Sequence, residues 1–271
     1  MKKFLVILLV LAMTLCAAAE TVFPEEGTEV SVDLDGDGAA DAFRWDYVSP
    51  GEFDQYLEIT VNDCVFSTDI GYMGKAALAD VDGDGIPEIF ACGDVMSDDY
   101  VTYCLRYNGE KMIPVLFADG SRGENTQGYF KTGYGFVESI EDGKVTLNGS
   151  QDMLGTYFGS RIYEMRDGLF EFCDDGLWKF DRDLSDPDLW VYGAIVPTRD
   201  IPAVFQNDKG VIEAGMPLIV TATDKARLVY FTTKDGREGC FEMEPDFDRG
   251  WGVRIDGVSE DELFENVHYA D

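Results

Sequence analysis

The sequence predicts an all-β protein, and three observations support this prediction. Gly, Asp and Asn recur about every eight to twelve residues, which is the spacing of turns between short antiparallel strands. The segments between these turns, such as residues 56–61 and 228–233, are rich in β-branched and aromatic residues. No long stretch after residue 19 has helical periodicity, and only one short helix is expected, after Ser259.

Residues 1–19 have the pattern of a cleaved signal peptide: a positively charged start, an apolar run and three alanines at residues 17–19. Lipid attachment at Cys16 is the alternative. It is not favoured, because Leu15 occupies the place of the small residue that precedes a lipidated cysteine. No later stretch reaches the roughly 18 apolar residues of a membrane span. The sequence therefore predicts a secreted, extracellular or cell-surface protein.

The charge of the chain excludes several classes of partner. The 53 acidic residues outnumber the 21 basic residues and give a formal net charge of −32. Nucleic acid binding depends on clustered Lys and Arg, so it is excluded, and an anionic membrane surface would repel the chain. Hydrophobic residues make up 45% of the chain, which is enough to build a core.

The five cysteines beyond residue 19 are widely spaced and odd in number, so they do not form a dense disulfide framework. Cys92 and Cys104 flank a polar loop that closes a predicted hairpin. A disulfide between them and two buried thiols are both compatible with the sequence.

Two nine-residue segments share the pattern DxDxDGxx[DE]: residues 33–41, the first acidic loop, and residues 80–88, the second acidic loop. They begin 47 residues apart, which is the size of one supersecondary repeat. Calcium takes six to eight oxygen ligands, and carboxylates at positions 1, 3 and 5 converge on one point if the chain turns tightly. Glycine at position 6, Gly38 or Gly85, permits that turn.

The carbonyl at position 7 and the acid at position 9 would complete each shell. Four carboxylates so close together repel one another unless a cation lies between them. We therefore expect two Ca²⁺ sites, whose predicted ligands are Asp33, Asp35, Asp37, Ala39 and Asp41 in the first loop and Asp80, Asp82, Asp84, Ile86 and Glu88 in the second.

These loops are not EF-hands. An EF-hand has a bidentate Glu at position 12 and helices on both sides. Position 12 is Arg44 in the first loop and Ala91 in the second, and strand-like sequence flanks both loops. The expected context is strand–loop–strand.

Residues 32–43 and 79–89 resemble the calcium loops of FG-GAP/VCBS repeats, which build integrin-like β-propellers. The resemblance covers roughly residues 28–117. It implies blade-like antiparallel sheets and a role in extracellular interaction or adhesion. A domain at residues 20–190 is too short for six or seven blades, so the expected form is a partial or small propeller.

Residues 191–271 are predicted to form a second domain, because acidic and proline-containing sequence precedes several short strands. Its run of residues 230–239 contains a Lys-Asp-Gly turn and resembles bacterial SH3-like barrels. The resemblance implies binding of cell-wall peptides or other partners, and it assigns no binding residue.

The sequence offers no catalytic residue. His268 is the only histidine, and GxSxG, P-loop and GxGxxG motifs are absent. The predicted function is a calcium-binding, non-enzymatic module that recognises an extracellular protein, peptide or glycan. The alternative is a secreted carbohydrate-active hydrolase, or its accessory domain, that uses carboxylates.

Overall fold

A computed structural model describes residues 21–49, 55–96, 99–118, 121–125, 128–173, 175–206, 208–224, 226–246 and 252–269. The predicted signal peptide at residues 1–19 and Cys16 lie outside the described residues. The prediction of an all-β protein with antiparallel sheets is confirmed.

The elements are β1 (Val30–Val32), β2 (Asp41–Val48), β3 (Tyr56–Val61), β4 (Cys64–Ser67), β5 (Tyr72–Ala79), β6 (Glu88–Asp94), β7 (Tyr100–Tyr107), β8 (Met112–Phe117), β9 (Ser121–Asn125), β10 (Gly128–Tyr134), β11 (Phe136–Glu141), β12 (Lys144–Asp152), β13 (Thr156–Arg166), β14 (Leu169–Phe172), β15 (Trp178–Lys179), α1 (Pro187–Tyr192), β16 (Val196–Pro197), β17 (Ile201–Phe205), β18 (Asp208–Ile212), β19 (Leu218–Thr223), β20 (Leu228–Thr233), β21 (Glu238–Glu242), β22 (Glu244–Pro245), β23 (Val253–Ile255), β24 (Val258–Ser259), α2 (Glu260–Leu263) and β25 (Phe264–Glu265).

Strands β1 to β8 form two successive four-stranded antiparallel meanders. The first meander is β1–β4 and the second is β5–β8, each with its strands paired in chain order. In both meanders an acidic loop joins the first strand to the second. The loops therefore lie at equivalent places of a structural repeat, as the 47-residue spacing predicts.

A third meander, β11–β14, follows the same order. Its last strand pairs in parallel with the last strand of the second meander, where Leu169 is opposite Leu116. The hairpin of β9 and β10 lies between the two meanders in the chain, and β10 pairs with the beginning of β7.

The three meanders pack through the two faces of the second one. Alternate residues point to opposite faces of a strand. On β6, Ile89 and Ala91 belong to the core shared with the first meander, whereas Phe90 and Cys92 belong to the core shared with the third. Every residue of β6 is buried as a result.

Strands β15 and β17–β21 continue the sheet of the third meander, whereas β16 pairs with β25 and β22–β24 form a small separate sheet. Strand β15 pairs with both β13 and β19, and the order then runs β19, β20, β21, β17, β18. One hydrophobic core joins Leu154 and Trp178 to Phe231 and Phe264, so it contains residues on both sides of position 190. Among the described strands, neither a closed barrel nor a closed propeller ring is seen.

The short helix expected after Ser259 is confirmed as α2. The five described cysteines are thiols, and Cys92 and Cys104 lie on neighbouring strands, opposite Thr102 and Phe90. No helix in the described part of the chain is long and apolar enough to cross a membrane.

Candidate metal centre

The first acidic loop is folded by hydrogen bonds from its own backbone to its own carboxylates. Each amide donates to an aspartate two to five residues earlier in the chain. The bonds are Gly36 N to Asp33 Oδ1 (2.7 Å), Gly38 N to Asp33 Oδ2 (2.9 Å), Asp37 N to Asp35 Oδ1 (3.0 Å) and Ala39 N to Asp37 Oδ1 (2.7 Å).

The second acidic loop repeats this pattern bond for bond. The bonds are Gly83 N to Asp80 Oδ1 (2.7 Å), Gly85 N to Asp80 Oδ2 (2.9 Å), Asp84 N to Asp82 Oδ1 (3.1 Å) and Ile86 N to Asp84 Oδ1 (2.8 Å). The two sequences therefore adopt one conformation.

Glycines at positions 4 and 6 make this conformation possible. The backbone angle φ is +78° at both Gly36 and Gly83, and it is +86° at Gly38 and +88° at Gly85. Residues with a Cβ are disfavoured in this left-handed region, so the backbone favours glycine at both positions. Position 6 was predicted from the motif, whereas the same need at position 4 was missed.

Position 2 anchors each loop in the protein interior. Leu34 and Val81 are buried in the cores between meanders. Their backbone amides donate to the acid at position 9, over 2.9 Å to Asp41 Oδ2 and 3.0 Å to Glu88 Oε2. Position 2 was missed in the sequence, although an apolar residue at the same place in both loops is a visible sign of it.

Each loop gathers three carboxylates, with one oxygen of each lying within 4.8 Å of the others. The group in the first loop is Asp33, Asp35 and Asp37, and the group in the second loop is Asp80, Asp82 and Glu88. These all-oxygen sets match the preference of a hard cation such as Ca²⁺ for carboxylate ligands. The predicted ligands Asp41 and Asp84 lie outside the two groups, and the carbonyls of Ala39 and Ile86 stay predicted ligands.

The acid at position 9 is held differently in the two loops. Asp41 Oδ1 accepts a hydrogen bond of 2.7 Å from the Asn62 side chain, which also accepts one of 2.9 Å from the Ala42 amide. Glu88 Oε1 instead accepts bonds of 2.9 and 2.6 Å from the guanidinium of Arg106. Burial raises the pKa of Glu88, and the Val81 amide and Arg106 oppose that rise.

The two loops touch each other. A Cβ at Gly36 would lie 2.6 Å from Ile86 Cδ1, which means that the side chain of position 7 in the second loop covers position 4 in the first. The corresponding turn of the third meander lies against the second loop, where a Cβ at Gly143 would lie 3.0 Å from the Val81 carbonyl oxygen. Equivalent connections of neighbouring meanders are thus in contact.

Two of the four tryptophans are part of the core. Trp45 is 5% exposed and donates a hydrogen bond to the Pro24 carbonyl, and Trp178 is 2% exposed. These side chains therefore do not contribute to an aromatic surface of the kind that stacks on sugars.

Comparisons with protein-family models, with curated proteins and with solved structures gave no match.

Proposed function

We propose that this chain is an exported, calcium-binding, non-enzymatic protein that acts as an extracellular or cell-surface interaction module of the adhesion type. The observation that carries the proposal is the occurrence of one loop conformation twice, each time with three carboxylates whose oxygens lie within 4.8 Å of one another. Two carboxylates 4 Å apart repel by about 4 kcal/mol at an effective dielectric constant near 20. A divalent cation replaces this repulsion with attraction.

Calcium in these loops would act on the fold. Each loop joins the first two strands of a meander, and its second residue is buried between meanders. A cation that fixes the loop therefore fixes the start of β2 or β6 relative to the core. On this proposal the meanders are blade-like units, and calcium holds them in fixed positions relative to one another for binding.

The surface that meets a partner is expected in the last part of the chain, in the proposed SH3-like module. A cleft of about 560 Å³ lies there, lined among others by Tyr230, Thr232 and Gly239. An extracellular peptide or glycan is the expected occupant, since the net charge of −32 disfavours polyanions. Retention on cell-wall fractions and glycan arrays, with calcium and with EGTA, identifies the class of partner.

Thermal unfolding in calcium and in EGTA tests the metal. At a calcium concentration 100 times the Kd, each site adds about 2.7 kcal/mol to the free energy of unfolding. Two sites would raise the midpoint by roughly 10 °C or more. Asp35→Ala and Asp82→Ala should each reduce the shift, and Asp208→Ala, which removes an exposed aspartate elsewhere, should keep it. A midpoint that does not respond to calcium in the unmodified protein would refute the proposal.

A further inference from the structure

The second acidic loop already contains a cationic partner. Arg106, on β7, donates from Nε and Nη2 to Glu88 Oε1 over 2.9 and 2.6 Å. The same Nη2 also donates to Asp82 Oδ2. Two of the three carboxylates that form the oxygen group of this loop therefore share one guanidinium.

The first acidic loop has no such partner among the described residues. Its position-9 acid is held by the neutral amide of Asn62. In the described part of the chain, no Lys or Arg forms an ion pair with Asp33, Asp35 or Asp37. Two loops with the same backbone thus differ in how their charge is balanced.

This difference has a direct consequence for a cation. Glu88 is 1% exposed, so its charge needs a partner close by whether or not metal is bound. Arg106 supplies that partner, and an ion entering the second loop must compete with a positive charge that already contacts two of its ligands. The Arg106 side chain is 38% exposed, which leaves it room to turn outward.

We propose that the two loops are unequal calcium sites, with Arg106 acting as an internal counter-ion that keeps the second loop folded without metal. On this basis the first loop is the tighter site and fills first. The second loop binds calcium only as Arg106 gives up its bonds to Asp82 and Glu88. The inequality of the sites rests on the proposed calcium function, whereas the metal-free role of Arg106 does not.

Calcium titration by calorimetry tests the inequality. A monovalent charge about 5 Å from a divalent ion changes affinity by at least about tenfold even in water. We expect two steps in the unmodified protein, the tighter one lost in Asp35→Ala and the weaker one lost in Asp82→Ala. Arg106→Gln should tighten the weaker step about tenfold or more, and Arg227→Gln, which removes an exposed arginine paired with Glu242, should leave both steps in place.

Loss of the tighter step in Asp82→Ala, or an unchanged weaker step in Arg106→Gln, would overturn the inference and leave calcium binding intact. Absence of any binding heat in the unmodified protein would instead refute the proposed function.

Hydrogen exchange of the unmodified protein in EGTA tests the metal-free role and needs no variant to fold. The amides of residues 81–86 should exchange more slowly than those of residues 34–39, because Arg106 holds only the second loop. Equal protection of the two segments, or the reverse order, would overturn the inference.

Discussion

The contact between the two acidic loops can be measured with one pair of glycine substitutions. Gly36 and Gly83 occupy position 4 of their loops, and φ is +78° at both. An alanine at Gly83 meets no atom within 4 Å, whereas its Cβ at Gly36 would lie 2.6 Å from Ile86 Cδ1 and 3.3 Å from Cγ1. Gly83→Ala therefore reports the backbone cost alone, and Gly36→Ala reports that cost together with displacement of Ile86.

The expected magnitudes follow from these two terms. The left-handed conformation costs an L-residue about 1–2 kcal/mol. Moving the flexible end of Ile86 costs about 1 kcal/mol more, at the low end for an overpacked contact. Gly36→Ala should therefore lower the free energy of unfolding by about 2–3 kcal/mol and Gly83→Ala by about 1–2 kcal/mol. The midpoints should differ by roughly 2–4 °C.

Urea unfolding followed by tryptophan fluorescence, at one fixed calcium concentration, measures the difference. In the background of Ile86→Ala the extra cost of Gly36→Ala should disappear, giving a coupling energy of about 1 kcal/mol in the double-mutant cycle. Gly38→Ala and Gly85→Ala, both at positive φ with no atom within 4 Å, should cost the same as each other. Equal losses for Gly36→Ala and Gly83→Ala would refute the contact between the loops.

Two further predictions concern buried groups outside the loops. Glu260 is fully buried and accepts a hydrogen bond of 2.5 Å from the Tyr269 hydroxyl. Glu260→Gln should therefore lower the free energy of unfolding, measured in urea, by about 2–3 kcal/mol. Glu262→Gln, on the exposed side of the same helix, should change it by no more than about 0.5 kcal/mol. Equal losses would contradict a special role of the buried carboxylate. Burial raises the pKa of the Cys92 thiol to about 11. At pH 8, iodoacetamide should therefore modify the half-buried Cys64 of the folded protein well before Cys92. Mass spectrometry of the labelled peptides measures the two rates. Equal rates would show that β6 is not buried on both faces.

The acidic loops were predictable because their information is local. Nine consecutive residues specify the carboxylates, the turns and the strand that starts at Asp41 or Glu88, so sequence spacing was sufficient. The partner of Glu88 was not predictable in the same way. Arg106 lies 18 residues further along the chain, and it reaches the loop only because β7 pairs with β6. The residues around Arg106 in the sequence do not indicate that it pairs with Glu88.

Helix α1 was missed for a different reason. The acidic, proline-containing segment around Pro187 predicts an irregular domain boundary, but proline is well tolerated in the first turn of a helix. Asp186 caps this helix by accepting a hydrogen bond of 2.9 Å from the Asp188 amide. The pair Asp186-Pro187 therefore marks the start of a helix, although the acidic composition of the segment is typical of an irregular region.

The sequence does not indicate the third meander, because both features of the repeat, the 47-residue spacing and the nine-residue acidic loop, are altered there. The hairpin of β9 and β10 shifts it along the chain, so the 47-residue spacing is lost. Its first connection is a two-residue turn of Asp142 and Gly143, both at positive φ, instead of a nine-residue loop. Such a turn satisfies its backbone without side-chain ligands, so it leaves no carboxylate pattern to find.

The contacts between successive connections also relate the two acidic loops to each other, because each loop packs against the next connection along the chain. The first acidic loop is covered by Ile86 of the second, and the second is covered by the turn at Gly143. The turn has only two residues, and in the second loop Arg106 already pairs with Glu88. On the proposal of unequal sites, each connection packs against a neighbour that forms without metal, and only the first loop relies on calcium to balance its charge. The same proposal gives Arg106 a second role, because the loop that it holds forms the surface against which the first loop would close around its ion.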